Sequence, residues 1–482
     1  MHTVIQRYQV QAILAGLLFF TFGALSILQQ EVWWMAIPFA WVLFPLTGNY
    51  IVQQTGSLYW LMLVMLPLSA EINITDTLGM DFPDELLLLA ITAAAVAKMI
   101  HQPLLFYPVF RAPLLLFILI HLLWIAFSTG LSTEPLLSTK FLLAKTWYII
   151  PLVLVTPLLL RNMQHYGRLA FCLLIPMLLV IVQTLVRHGL YGFEFAAINK
   201  TVGPFFRNHV NYSAMLVCLL PAGWAAWHFT KATAYRKWIA VALGIALAGL
   251  ATAYSRGAWL ALLTVPVAVW IFQKKRMGSF LIATLAATSL LLAVFINNNH
   301  YLRFAPDHDH TIFHTNFREH LGATIAFKDV SNAERFHRWV AGIRMVTERP
   351  LTGFGPNSFY NQYRPYTVSA FKTWVSNNPE HSTVHNYFLL TAIEQGIPGL
   401  AILCMLWAAL LLAAQHLYHA FQSVFYRSIA LITGVVLCMI TVINFTSDMI
   451  ETDKIGGLFW LSAGVLISLQ LRLKEEQSTL AA

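Results

Sequence analysis

The sequence predicts an all-α polytopic membrane protein with about 12–14 transmembrane helices and one large, partly helical loop on one face. Three observations lead there. Of 482 residues, 58% are hydrophobic and 11% charged, with a mean hydropathy of +0.66. A soluble domain runs at about 45–50% apolar and about 25% charged. The apolar residues also fall in runs long enough to cross a hydrocarbon core of about 30 Å, where only helices or closed barrels satisfy the backbone. Finally, lysines and arginines gather in alternate connections between those runs. This composition excludes a soluble enzyme, which needs more polar surface to cover its core. The formal charge of +9 belongs to membrane boundaries, so the expected partner is a lipid bilayer and not nucleic acid.

In order, the apolar runs lie near residues 10–28, 32–52, 57–71, 84–100, 112–130, 138–160, 167–187, 210–229, 238–254, 257–273, 278–296, 385–414, 425–446 and 456–472. The third, fourth and last are short or weakly apolar, which sets the lower count. The first reads as a span and not a cleaved leader, since no small-residue cleavage site follows it. Cys172, Cys218, Cys404 and Cys438 sit inside these runs without CxxC spacing and read as small buried hydrophobes.

Charge placement orients the runs. Lys231, Arg236 and Lys237 share one short connection, and Lys274, Lys275 and Arg276 another. Arg161 and Arg168 bracket a third; Lys98 and Arg111 flank a fourth. Such connections face the cytoplasm. The intervening ones differ: Glu71–Glu85 is acidic, and Ser128–Ser138 carries only Glu134. An even span count then puts both termini in the cytoplasm, and Arg472 and Lys474 beyond the last run agree.

Residues 297–384 interrupt the pattern, dividing the chain into N-terminal spans (1–296), an outer loop (297–384) and C-terminal spans (385–482). The loop holds nine Lys/Arg, seven Asp/Glu and seven of the seventeen histidines. Long loops translocate regardless of charge. Trp339, Phe354, Phe359, Tyr360, Tyr363, Tyr366 and Trp374 argue for an ordered loop. Asn332–Thr347 has helical periodicity, ended by Pro350 and the glycines of PLTGFGP.

Several polar residues stand at the outer boundary. Arg256, in AYSRGAW, reads either as a snorkelling arginine or as an anion contact. Arg335, His337 and Arg338 lie in ERFHRW, where an arginine fork suits a phosphate, or where Glu334 simply balances a solvated face. His385 and Asn386 open the span that holds Glu394 and the helix-breaking Gly396-Ile397-Pro398-Gly399. Such a histidine acts as a base, a hydrogen-bond donor or a cap. Arg207, with Lys200, Asn208, His209 and Asn211, and the group Asp448, Glu451, Asp453 and Lys454 either line the same outer cavity or solvate loops. His308, His310, His314 and His320 lack a zinc signature, and neither a metal nor an organic cofactor is expected. There is no GxxxxGK[ST] loop, GxSxG elbow or GxGxxG turn. The polar groups collect on one face, not at midplane as in many transporters.

Four ordered segments resemble the O-antigen ligase and polymerase family of bacterial membrane glycosyltransferases: SRGAWLAL (255–262), RFHRW (335–339), PLTGFGPNSF (350–359) and HNYFLLTAIEQGIPGL (385–400). GPFFRNHVNYSA (203–214) also fits, so the resemblance covers roughly residues 200–415. It implies a metal-independent enzyme at the outer face of the inner membrane. The donor would be a glycan on undecaprenyl diphosphate; the acceptor would be lipid A–core for a ligase or another lipid-linked repeat for a polymerase. It further implies Arg256 and Arg335 as catalytic arginines on the leaving diphosphate, with Arg338 competing for the second role. His385 becomes the base or acceptor-orienting group. Arg207, Asn386, Glu394, Asp453 and Lys454 become substrate-binding candidates. A transporter of lipid-linked glycans is the rival from another class; it predicts charges through midplane and inverted repeats.

Overall fold

The computed structural model describes residues 50–75, 78–296, 330–368 and 382–481, with Thr21, Gly48, Ser376 and Asn378. The predicted span at 10–28, most of 32–52, and the histidines at 308–320 lie outside the described residues.

Helix α1 (Thr55–Met65) is followed by an antiparallel hairpin, β1 (Ala70–Thr75) and β2 (Leu78–Phe82), paired Ala70 to Phe82 and Ile72 to Met80. Helices α2 (Asp84–His101) and α3 (Pro103–Phe110) follow and meet at 102°. Pro103 forces that elbow, pushing Gln102 to φ −137° and ending α2. The bundle continues through α4 (Pro113–Gly130), α5 (Pro135–Leu159), α6 (Met163–Gly189), α7 (His209–Phe229), α8 (Thr233–Thr252), α9 (Arg256–Gln273) and α10 (Met277–Ile296). The long connection after α10 supplies α11 (Val330–Glu348) and the one-turn α12 (Phe359–Gln362). The chain then returns through α13 (Tyr387–Ala420), α14 (Val424–Phe445) and α15 (Asp453–Ala481).

Among the described residues, nine helices are long and apolar enough to cross a membrane, or ten with the bent α2–α3 pair. They are α4 to α9 and α13 to α15. The run expected at 57–71 is shorter than predicted: α1 stops at Met65, before Pro67, which brings no N–H to a further turn, and the hairpin follows.

The final run, weakly apolar in sequence, is the centre of the bundle. α15 is 89% buried over its apolar stretch, against 11% for α8. An interior helix meets protein and needs close approach more than apolarity. Gly464 provides it: a Cβ there would lie 2.0 Å from the Leu152 carbonyl oxygen, on the π-helical stretch Ile150–Val155 of α5. Cys404 faces outward, not inward as predicted; on a membrane helix the outward face is also apolar.

The two ends of the bundle differ. The cation-rich connections lie at one end, where arginines rest on aromatic rings: Arg168 is 4.7 Å from the Trp60 ring and Arg236 4.1 Å from Trp227. The opposite end carries the hairpin and the stretches 330–368 and 382–387. These stretches have their own small apolar core, in which Ala341 and Met345 of α11 meet Phe354, Phe359, Tyr363, Val384, Leu390 and Ile393. The cap is therefore built onto the first turns of α13.

Candidate active site

The cap is docked by a break in α13. Gly396 has φ +72° and ψ 177°, which interrupts the helix and releases carbonyls from their intrahelical partners. Each finds a donor elsewhere. Ile393 O accepts from Phe354 N at 3.0 Å, and Glu394 O from Gly355 N at 2.8 Å. Glu394 O also accepts from Ser128 Oγ at 3.2 Å, and Gln395 O from Trp124 Nε1 at 3.0 Å. In return, Ile397 N donates to Pro350 O at 2.7 Å. The glycines of PLTGFGP permit this approach: a Cβ on Gly353 would sit 2.4 Å from the Glu394 carbonyl carbon. Glu394 is buried, and its Oε1 accepts from Phe359 N at 3.2 Å, so its carboxylate holds the start of α12.

α11 braces the stretch Thr383–Val384 that leads to His385. Arg338 is buried; its Nη1 donates to Thr383 O at 3.0 Å and its Nη2 pairs with Glu334 Oε2 at 3.2 Å. Ser376 Oγ donates to Glu334 Oε1 at 2.6 Å, and Trp339 Nε1 to Val384 O at 2.9 Å. The Arg338 fork is thus committed to protein. Arg335, half-buried, lies one turn earlier on the face of Trp339.

His385 follows directly, in the left-handed region at φ +52°. Its Nδ1 lies 3.6 Å from Asp448 Oδ1. Thr383 Oγ1 donates to Asp448 Oδ2 at 2.6 Å, which fixes the carboxylate. Burial pushes the Asp448 carboxyl up, but the His385 contact and charge and the Thr383 hydroxyl outweigh it, leaving the group below the ordinary aspartate value. A carboxylate on Nδ1 sets the imidazole orientation and leaves Nε2 as the nitrogen directed away from it. Asn386 caps α13 by accepting from Leu389 N at 3.0 Å, and its Nδ2 donates to Phe445 O at 3.1 Å. It is a structural cap.

Residues 445–448 join His385 to Arg256. Tyr387 N donates to Ser447 O at 3.1 Å. On the other side, a Cβ on Gly257 would lie 3.4 Å from Thr446 Oγ1. The N-terminus of α9, where half-buried Arg256 is the first helical residue, therefore abuts the same turn. The helix dipole adds partial positive charge to that of the arginine.

The other candidates divide. Arg207 is exposed in the connection before α7, beside Phe206, whose ring lies 5.2 Å from Lys454 Nζ. Lys454 is buried and donates to Ser69 Oγ at 2.7 Å, Ser69 O at 3.1 Å and Asp453 Oδ2 at 3.0 Å. Asp453 and Lys454 thus anchor the start of the hairpin. Beside Asp448 lies a cavity of about 300 Å³ between α5, the start of α13 and the α14–α15 connection, and Lys145 and Glu451 pair there at 2.9 Å. Sequence reasoning passed over Lys145. A lysine in the predicted span KFLLAKTWYII is costly in lipid, and that was the available signal. Among the described residues, no group of three His, Cys, Asp or Glu could hold a metal ion.

These features define a class: a multi-pass membrane protein with a docked cap at one end of the bundle, a histidine–carboxylate pair beside it, and the arginine-led start of a span against the same turn. Residues 239–404 match the family model described as O-antigen ligase, a stretch that holds SRGAWLAL, the arginine helix, PLTGFGPNSF and His385. The motif resemblance is borne out there, and the match supports, in general terms, a membrane glycosyltransferase of the O-antigen ligase or polymerase type. No curated protein matches the chain.

Proposed function

We propose that the protein transfers a glycan from undecaprenyl diphosphate to an acceptor hydroxyl at the periplasmic face of the bacterial inner membrane, with both termini cytoplasmic. The observation that carries this reading is the meeting of His385–Asp448 with the arginine-led start of α9 across residues 445–448. His385 Nε2 takes the proton of the acceptor hydroxyl, held in orientation by Asp448. The acceptor oxygen forms a bond to the anomeric carbon as the bond to the diphosphate oxygen breaks. The leaving undecaprenyl diphosphate gains charge, which Arg256 and Arg335 neutralise, the task a divalent cation performs elsewhere. Arg335 is assigned this role because it holds the place of the second arginine in the family motif, and Arg338 is read as a brace of the cap through Glu334 and Thr383 O. No cofactor enters the scheme.

The test complements a gene-deletion strain with wild type, Arg256→Ala or His385→Ala and profiles lipopolysaccharide and lipid-linked glycan. A ligase leaves lipid A–core bare while long lipid-linked chains accumulate in the deletion and both variants. A polymerase leaves single repeats only. Ligase-type transfer is the first expectation. Donor stranded on the inner leaflet would instead mean transport of lipid-linked glycan, and unchanged profiles in every strain would contradict both enzymatic readings.

A further inference from the structure

The cavity beside Asp448 has a chemistry distinct from that of the arginine side. Its lining mixes acidic Asp448, Glu451 and Glu394 with Lys140 and the buried Lys145, which pairs with Glu451 at 2.9 Å. Carboxyl and ammonium groups side by side suit hydroxyls, which both donate and accept hydrogen bonds. Tyr148 and Trp460 add aromatic surface of the kind that packs against the C–H face of a sugar ring. At about 300 Å³ the cavity is at the small end of ligand sites, sized for one sugar residue and not for a lipid tail or an extended glycan.

We propose that this cavity is the acceptor-sugar subsite, and that Lys145 and Glu451 grip hydroxyls of the accepting residue and so set acceptor specificity. The proposal rests on the function proposed above. Displacement at an anomeric carbon with inversion places the attacking hydroxyl and the leaving diphosphate on opposite faces. Asp448 contributes to both the His385 pair and the cavity wall, so a sugar bound there presents its hydroxyl to the base. The diphosphate lies with the arginines instead. The Lys145–Glu451 pair offers both donors and an acceptor, so it can hold adjacent hydroxyls that differ in orientation.

Transfer is measured in proteoliposomes with the full-length protein, donor lipid-linked glycan extracted from the deletion strain, and two acceptor preparations from that strain, lipid A–core and lipid-linked single repeats. Each substrate is titrated against the other. Glu451→Gln and Lys145→Met are expected to raise the half-saturating acceptor concentration about tenfold, the effect of losing one good hydrogen bond to a charged group. The donor's half-saturation stays within about twofold. The double variant Lys145→Met/Glu451→Gln leaves no unpaired buried charge and keeps the comparison valid if a single variant folds poorly. A shift in donor half-saturation, or none for either substrate, overturns the subsite while leaving the transfer function standing. A wild type that transfers to neither acceptor contradicts the function itself.

Discussion

His385 has its role by virtue of what surrounds it. Its left-handed backbone is held between Thr383, which bonds Asp448, and Asn386, which caps α13. Asp448→Asn keeps the shape but removes the charge that orients the imidazole, and we predict a loss of about 10- to 100-fold in transfer rate with folding intact. His385→Ala is predicted to cost more, about 10²- to 10⁴-fold, as for loss of a general base. Initial rates in proteoliposomes check both, and an Asp448→Asn enzyme as fast as wild type would remove Asp448 from the account. The two arginines of ERFHRW separate in the same way. Arg338→Met leaves buried Glu334 without its cation and is predicted to destabilise the cap by about 3–5 kcal/mol, read as faster proteolysis of the 330–387 segment. Arg335→Met is predicted to abolish transfer without that sensitivity. Equal proteolysis of the two variants would contradict this division of roles. The sequence raised both arginines but could not separate them, because their difference lies in Thr383 and Glu334, one of them 45 residues away. Asp448 was legible only as part of a charged connection, since nothing local predicts its pairing with a histidine 63 positions earlier.

At the level of elements, the break in α13 is the hinge on which the cap depends. The GIPG signal marked it in the sequence, but not that the freed carbonyls dock PLTGFGP. Gly396→Ala would force a side chain into a backbone conformation reserved for glycine and place its Cβ 2.4 Å from Leu351 O. We predict a cost of about 1–3 kcal/mol from the backbone alone, seen as a lower unfolding temperature in detergent together with lost transfer. A variant with wild-type thermal stability would mean that the break is not needed. The hairpin β1–β2 was not foreseen at all: the acidic stretch Glu71–Glu85 reads as a solvated loop. Asp81 on β2 is partly buried, and burial, then the Asp453 charge, pushes its carboxyl up to about 7. A raised carboxyl favours the folded hairpin while it is protonated. Its contribution is therefore fully present below about pH 4 and is lost as pH rises toward 7. Hydrogen exchange at the hairpin amides, corrected for intrinsic rates, is predicted to show weaker protection at pH 7.5 than at pH 5.5. Asp81→Asn is predicted to flatten the difference. Protection that rises with pH would contradict this sign.

On the scale of the whole molecule, the membrane class was legible from composition, because lipid imposes an apolar surface that no local detail can hide. Most spans were legible for the same reason. Where sequence and structure diverge, as for α15, the helix is shielded from lipid, and small residues such as Gly464 matter more than apolarity. The cap's position was legible through the long interruption at 297–384, but its attachment was not, since it rests on backbone groups exposed only by the kink. Two opposed ends follow from this arrangement. In a cysteine-free background, Lys231→Cys is predicted to react with impermeant maleimide only from the cytoplasmic side and Arg364→Cys only from the periplasmic side; labelling of both from one side would overturn the topology. The central claim is that this chain alone moves a glycan from a lipid diphosphate. Its most direct test is transfer in proteoliposomes holding only the purified protein, lipid-linked glycan and acceptor glycolipid, with EDTA present and no nucleotide sugar. The account predicts elongated acceptor with wild type and none with His385→Ala; no transfer by wild type, or equal transfer by both proteins, would contradict it.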